Sequence, residues 1–183
     1  IEAKHVIITF PPIIKNMEAF DLSDAEKTLY KKFRYNHYRT AAMDVEGLPE
    51  AMGMVNTGKN GFLTAMKERS TYLVASSSIK GIYNILHGTD HQHALSNEEA
   101  LGLMQNTVSR LGDFFKTKVK IKDVGLSLNH TPYMVHVDTE EIKSGFYSKL
   151  DEMQGKRHTY LMGAALSTHG TFEVWKQAES IIQ

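Results

Sequence analysis

The chain has 183 residues, 42% of them hydrophobic, with 21 basic and 21 acidic side chains. That length suits one domain with a substantial core, and the balance of charge leaves no net field to draw in nucleic acid or an anionic membrane. There is no Cys, which excludes disulfides, thiolate catalysis and Cys-ligated zinc and fits a reducing compartment such as the cytoplasm, and no apolar run approaches the ~20 residues of a membrane span.

In chain order, His5 to Phe10 forms a continuous apolar run that predicts a buried strand, stopped by Pro11-Pro12, which cannot donate to a ladder. A natural chain rarely opens on a central strand without a leader, so the reading is of a fragment or an excised domain. Ser23 and Glu26 form a capping-box pattern that opens a helix with Ala25, Leu29 and Phe33 inward. Residues 35–45 return to extended structure, 46–70 are loop-rich and unassigned, and 70–77 and 81–87 read as strands.

Ser96 and Glu99 make a second capping box, followed by a stripe of Leu101, Met104, Val108 and Leu111, with Gly112 suited to the helix end. Lys116, Lys118, Lys120 and Lys122 alternate with apolar residues, the pattern of a solvated strand face. Asp138 and Glu141 bracket a further helix start, with Ile142, Phe146, Leu150 and Met153 inward. The last strand covers 158–162. The last helix runs from about 170 to 182, with Trp175, Ala178 and Ile182 on one stripe predicted to be buried. Intermixed helices and hairpin-spaced strands give an α+β class, a mixed and largely antiparallel sheet with flanking helices.

Two motifs approach known chemistry and stop short. Residues 53–60, GMVNTGKN, nearly spell a phosphate loop, but Asn60 stands where a hydroxyl should bind magnesium, and a turn explains them better. His87, Asp90, His91 and His93 could contribute metal ligands, yet they lie in a loop before a capped helix with no fourth ligand, so no metal site is expected. Tyr30, Tyr35, Tyr38 and Tyr133 pack a core or line an apolar cleft; the residues alone leave both readings open.

The two ends carry a resemblance. HVIITFPP (5–12) is similar to the strand by which flavin-containing amine oxidases leave their FAD-binding domain for the substrate domain. Residues 145–182 resemble the C-terminal return of that superfamily, in which a strand, a glycine turn and a terminal helix close over the flavin. The resemblance implies FAD as cofactor, a small organic substrate oxidised by hydride transfer to flavin, and a single substrate-binding-type domain over 1–183 whose 158–183 segment returns to the flavin. It implies that Gly163 and Ala164 lie by the flavin or its ribityl chain, and that Thr171, Phe172 and Glu173 offer helix-start amides to it. It names no catalytic residue. The family's G-x-G-x-x-G fingerprint is absent, so the adenosine and pyrophosphate halves of FAD belong to a Rossmann-type partner domain outside this chain. The alternative is a non-enzymatic α+β domain that binds a small molecule without turning it over.

Overall fold

The structure, a computed structural model, describes residues 3–57, 70–168 and 170–182. The fold is α+β, and the chain divides into two compact units, one built from Ile1–Arg34 with Met134–Gln183, the other from Tyr35–Tyr133.

The first unit is organised on a two-stranded parallel ribbon of β1 (Val6–Ile8) and β8 (Thr159–Leu161), with Ile7 opposite Tyr160. Of the β1 side chains only Ile8 is buried, whereas Val6 and Ile7 are 41% and 48% exposed. The expected buried strand is therefore short and half uncovered. Helix α1 (Asp24–Tyr30) starts at Ser23, whose hydroxyl accepts the Glu26 N–H while the Glu26 carboxylate accepts the Ser23 N–H. Leu29 and Phe33 are buried as their spacing requires, but Ala25 is exposed and Glu26 takes its place inside. Burial alone would raise the Glu26 pKa; the Ser23 hydrogen bonds and Arg157, 3.0 Å away, outweigh it and hold the carboxyl below its usual value.

The helix foreseen after Asp138 is two short ones, α3 (Thr139–Lys143) and α4 (Phe146–Asp151), broken at Gly145. The break rotates the apolar stripe. Phe146 and Leu150 are buried, and Phe146 meets Phe33 edge-on at 5.1 Å, whereas Ile142 is 50% exposed. The last helix, α5 (Thr171–Ile182), has the expected bounds.

The second unit is a sheet with strands in the order β3-β4-β5-β2-β6, all its neighbours antiparallel. These are β2 (Arg34–Glu46), β3 (Gly53–Val55), β4 (Thr71–Ser76), β5 (Ile82–Thr89) and β6 (Lys120–Asn129); a short β7 (Tyr133–His136) follows. Helix α2 (Asn97–Phe115) opens on the Ser96–Glu99 capping box and covers one sheet face. It runs past Gly112 and ends where Lys116 adopts a left-handed conformation, φ 55°. Met104 and Val108 seat on Ala41, Met43, Val45, Val74 and Ile85, a contiguous apolar core. The alternation along β2 puts Arg39, Ala41, Met43 and Val45 under the helix and Tyr38, Thr40 and Ala42 on the other face. Of the phosphate-loop pattern, Gly53–Val55 is strand, and Gly58, Lys59 and Asn60 lie outside the described residues.

Candidate functional site

The turn after β8 shows why glycine stands at 163. Gly163 is buried with φ 106°, and a Cβ there would sit 2.7 Å from the Thr9 carbonyl oxygen. Its close neighbour is thus the backbone just after β1, and its N–H donates to Gln177 Oε1 at 2.8 Å, tying the turn to α5. Ala164, one residue on, is exposed. Thr171, Phe172 and Glu173 form the exposed first turn of α5, where backbone N–H groups have no partner within the helix. The Glu173 carboxylate reaches back beside Gly170, where it complements the positive end of the helix dipole.

Beyond its first turn, α5 does not present the expected stripe. Val174, Gln177, Ala178 and Ile181 are half-buried, while Trp175 is 66% exposed and donates its indole N–H to Glu179 at 3.0 Å. Phe172, 65% exposed, carries the Lys176 ammonium over its ring at 4.5 Å. Hydrophobicity at helical spacing misjudged the side, because Gln177 turns inward to bond Gly163.

The second candidate element is the sheet face not covered by α2. Tyr38 of β2 stacks on Tyr133 with ring centroids 4.4 Å apart and an interplanar angle of 22°. Tyr72 of β4 lies at 6.3 Å on the same ring, and the two phenols are hydrogen-bonded. His130 stands 5.6 Å from Tyr38, with its Nε2 3.3 Å from Thr40 Oγ1. Burial, followed by the neighbouring phenols, pushes the Tyr72 and Tyr133 hydroxyls above their ordinary pKa, so both stay protonated and neutral. Register extends the surface through Leu86 of β5 and through Leu126 and Leu128 of β6, which are 52% and 44% exposed. The result is a largely apolar platform edged with phenol hydroxyls.

The sequence set Tyr30, Tyr35, Tyr38 and Tyr133 side by side as candidates, and the structure separates them. Tyr30 is core, 3% exposed, and Tyr35 meets His37 edge-on at 5.5 Å. Tyr38 and Tyr133 form the platform, and Tyr72 joins them from a strand whose pairing local pattern could not supply. The histidine loop is divided too: His87 is buried in β5, whereas His93 Nδ1 engages Asp90 Oδ1 at 2.5 Å. Among the described residues no three His, Asp or Glu side chains converge as a metal-binding group, and no helix is long and apolar enough to cross a membrane.

No protein-family model matches the chain. It is 26% identical over 184 residues to a beta-cyclopiazonate dehydrogenase of Aspergillus flavus, covering 100% of this chain and 40% of that protein. It is 29% identical to the FAD-dependent oxidoreductase dpchF of Colletotrichum higginsianum, covering 96% of this chain and 37% of the relative. Among solved structures, a CLA-producing fatty acid isomerase from P. acnes has the same fold over 97% of this chain and 40% of its own, with a TM-score of 0.76 at 19% identity. The chain thus spans about 40% of the length of the curated relatives it matches.

Proposed function

We propose that this chain, related over its whole length to FAD-dependent oxidoreductases, is the substrate-binding and flavin-contacting part of such an enzyme, built like the amine-oxidase superfamily. The whole enzyme oxidises a small organic substrate by hydride transfer, and this chain acts together with a Rossmann-type domain that holds the rest of FAD. The observation that carries this reading is the coverage: similarity over 96–97% of this chain to proteins named FAD-dependent oxidoreductases, across only 37–38% of their length.

The ribbon supports the partner domain. Parallel strands are stable when both faces are covered, and an isolated pair is marginal. Here, among the described residues, β1 and β8 pair only with one another and leave Val6 and Ile7 exposed, a surface suited to cover from the rest of the protein.

Of Gly163, Ala164, Thr171, Phe172 and Glu173, all but the buried Gly163 are accessible to the cofactor, and Gly163 shapes the turn that presents Ala164. Ala164 and the first turn of α5 are open, and free amides with a positive dipole end suit a negative flavin edge. Among the described residues there, Glu173 is a mismatched charge. When bound, FAD supplies the hydride acceptor and carries the redox chemistry. The chain's own residues then do the positioning. The helix start offers N–H groups to charge arriving with the hydride. The Tyr38–Tyr133 platform takes the apolar body of the substrate and excludes water from it, and the neutral Tyr72 and Tyr133 hydroxyls orient its polar groups.

The test is to express the complete protein, record its visible absorption, and follow bleaching of the flavin band under anaerobic conditions with candidate substrates. Bound flavin that a substrate bleaches, with KM raised about 3–10-fold by Tyr38→Ala, is the expected outcome. A complete protein that purifies folded and colourless, and gains no colour with added FAD, refutes it.

A further inference from the structure

Under the first turn of α2 the apolar layer of the second unit is interrupted by polar residues. Arg39 and His87 stand opposite one another in the β2–β5 register, as do His37 and Thr89. The two-residue alternation puts all four on the helix-covered face. Arg39 is 8% exposed, His87 2% and Thr89 1%. Thr71, in register with His87 on β4, places its Oγ1 3.3 Å from His87 Nδ1.

The Arg39 guanidinium donates to Asn97 Oδ1 and, at 2.7 Å, to the Leu95 carbonyl oxygen. Both acceptors are neutral. Among the described residues no carboxylate lies within ion-pairing distance of Arg39. Burying a cation without a counter-charge is expensive, and five N–H donors are more than two acceptors use. Two further buried groups of the same face, His87 Nε2 and Thr89 Oγ1, have no hydrogen-bond partner. Burial keeps the His87 ring neutral. In the tautomer in which Nδ1 accepts from the Thr71 hydroxyl, the ring carries its single proton on Nε2 and is a donor there, as the Thr89 hydroxyl can be. Arg39 is moored to the first residue of a 19-residue helix, whose dipole adds positive potential there. Charge, unused donors and dipole ask for the same thing.

We propose that Arg39, His87 and Thr89 hold a small anion of halide size, buried between the sheet and the start of α2. Three residues so deeply buried suit a species of one or a few atoms rather than an extended carboxylate. Its role is to complete the charge balance of the second unit, on the sheet face opposite the tyrosine platform.

Bromide is the probe, with the full-length protein. Thermal unfolding is followed in sodium bromide and in sodium gluconate, whose anion is too large to enter, at one ionic strength. The expected result is a Tm higher by about 2 °C or more in bromide, rising with its concentration, because a ligand of the native state stabilises it by mass action. Arg39→Gln should abolish the difference. Should that variant not fold, Thr89→Val, which removes one donor at nearly constant volume, should shift the bromide dependence to several-fold higher concentration. Crystals grown in bromide should show an anomalous peak within hydrogen-bonding distance of Arg39 and His87 Nε2. Equal Tm in the two salts, a dependence unchanged in Thr89→Val, or a water without anomalous signal at that position overturns the proposal.

Discussion

Gly163 and Thr9 meet backbone to backbone: the left-handed turn after β8 closes against the carbonyl of the residue that follows β1, leaving no room for a Cβ. Gly163→Ala should therefore cost about 2 kcal/mol or more, from strained backbone and overpacking together. Denaturant midpoints of the two proteins measure it. Equal midpoints would show that the ribbon yields at no cost.

Trp175 is the chain's single tryptophan, and it lies outward. In the 183-residue chain its fluorescence should be that of a solvated indole, quenched freely by iodide. Trp175→Ala should change stability by no more than about 0.5 kcal/mol, the range for an exposed site. A blue-shifted, protected emission would contradict the orientation of α5 seen here.

His87 makes the second unit sensitive to acid. Burial, and secondarily Arg39, lowers its pKa from 6.5 to about 4. Above pH 6.5 the ring is neutral whether folded or unfolded, and the group adds no pH dependence. As pH falls from 6.5 towards 4, the unfolded chain takes up a proton that the native one refuses, so stability declines. Below about 4 the loss is complete, at about 3 kcal/mol. His37, also lowered by burial and Arg39, acts in the same direction. Unfolding midpoints measured across this window should fall less steeply for His87→Gln than for the wild type. Parallel profiles would mean that His87 is not held neutral.

Glu173 tests whether the start of α5 faces the cofactor. Its carboxylate lies beside Gly170, at the end of the helix that would receive negative charge on flavin reduction. In the full-length flavoprotein, Glu173→Gln should raise the flavin reduction potential, because a competing negative charge is removed. Pro at Thr171, where the missing N–H breaks no intrahelical bond, should lower it. Potentials unmoved by both changes, with FAD still bound, would separate this turn from the flavin.

Much of this was legible in the sequence where the cause is local. Ser23 with Glu26 and Ser96 with Glu99 open their helices as written, since a cap needs only a residue and its neighbour three places on. Strand order, and with it the union of Tyr38, Tyr72 and Tyr133, is a product of pairing between distant segments. Trp175 and Ile142 were misjudged for a related reason. A hydrophobic stripe says that a helix has an apolar side, while Gln177 bonding Gly163 and the break at Gly145 decide which side turns inward. The neutral partners of Arg39 left no trace in composition, because the absence of a carboxylate beside it among the described residues is set by the fold.

The stack of Tyr38 on Tyr133 has a topological meaning as well. It joins the chain near the two ends of the 35–133 segment, where the Tyr38 carbonyl also accepts the His130 N–H at 2.8 Å. A segment whose ends are clasped together departs from its host and rejoins it at one place, so its length and contents impose little on what lies outside. The tyrosine platform is carried on a cassette. Insertions or deletions within it can change the platform without altering the spacing at which the chain leaves and re-enters the first unit.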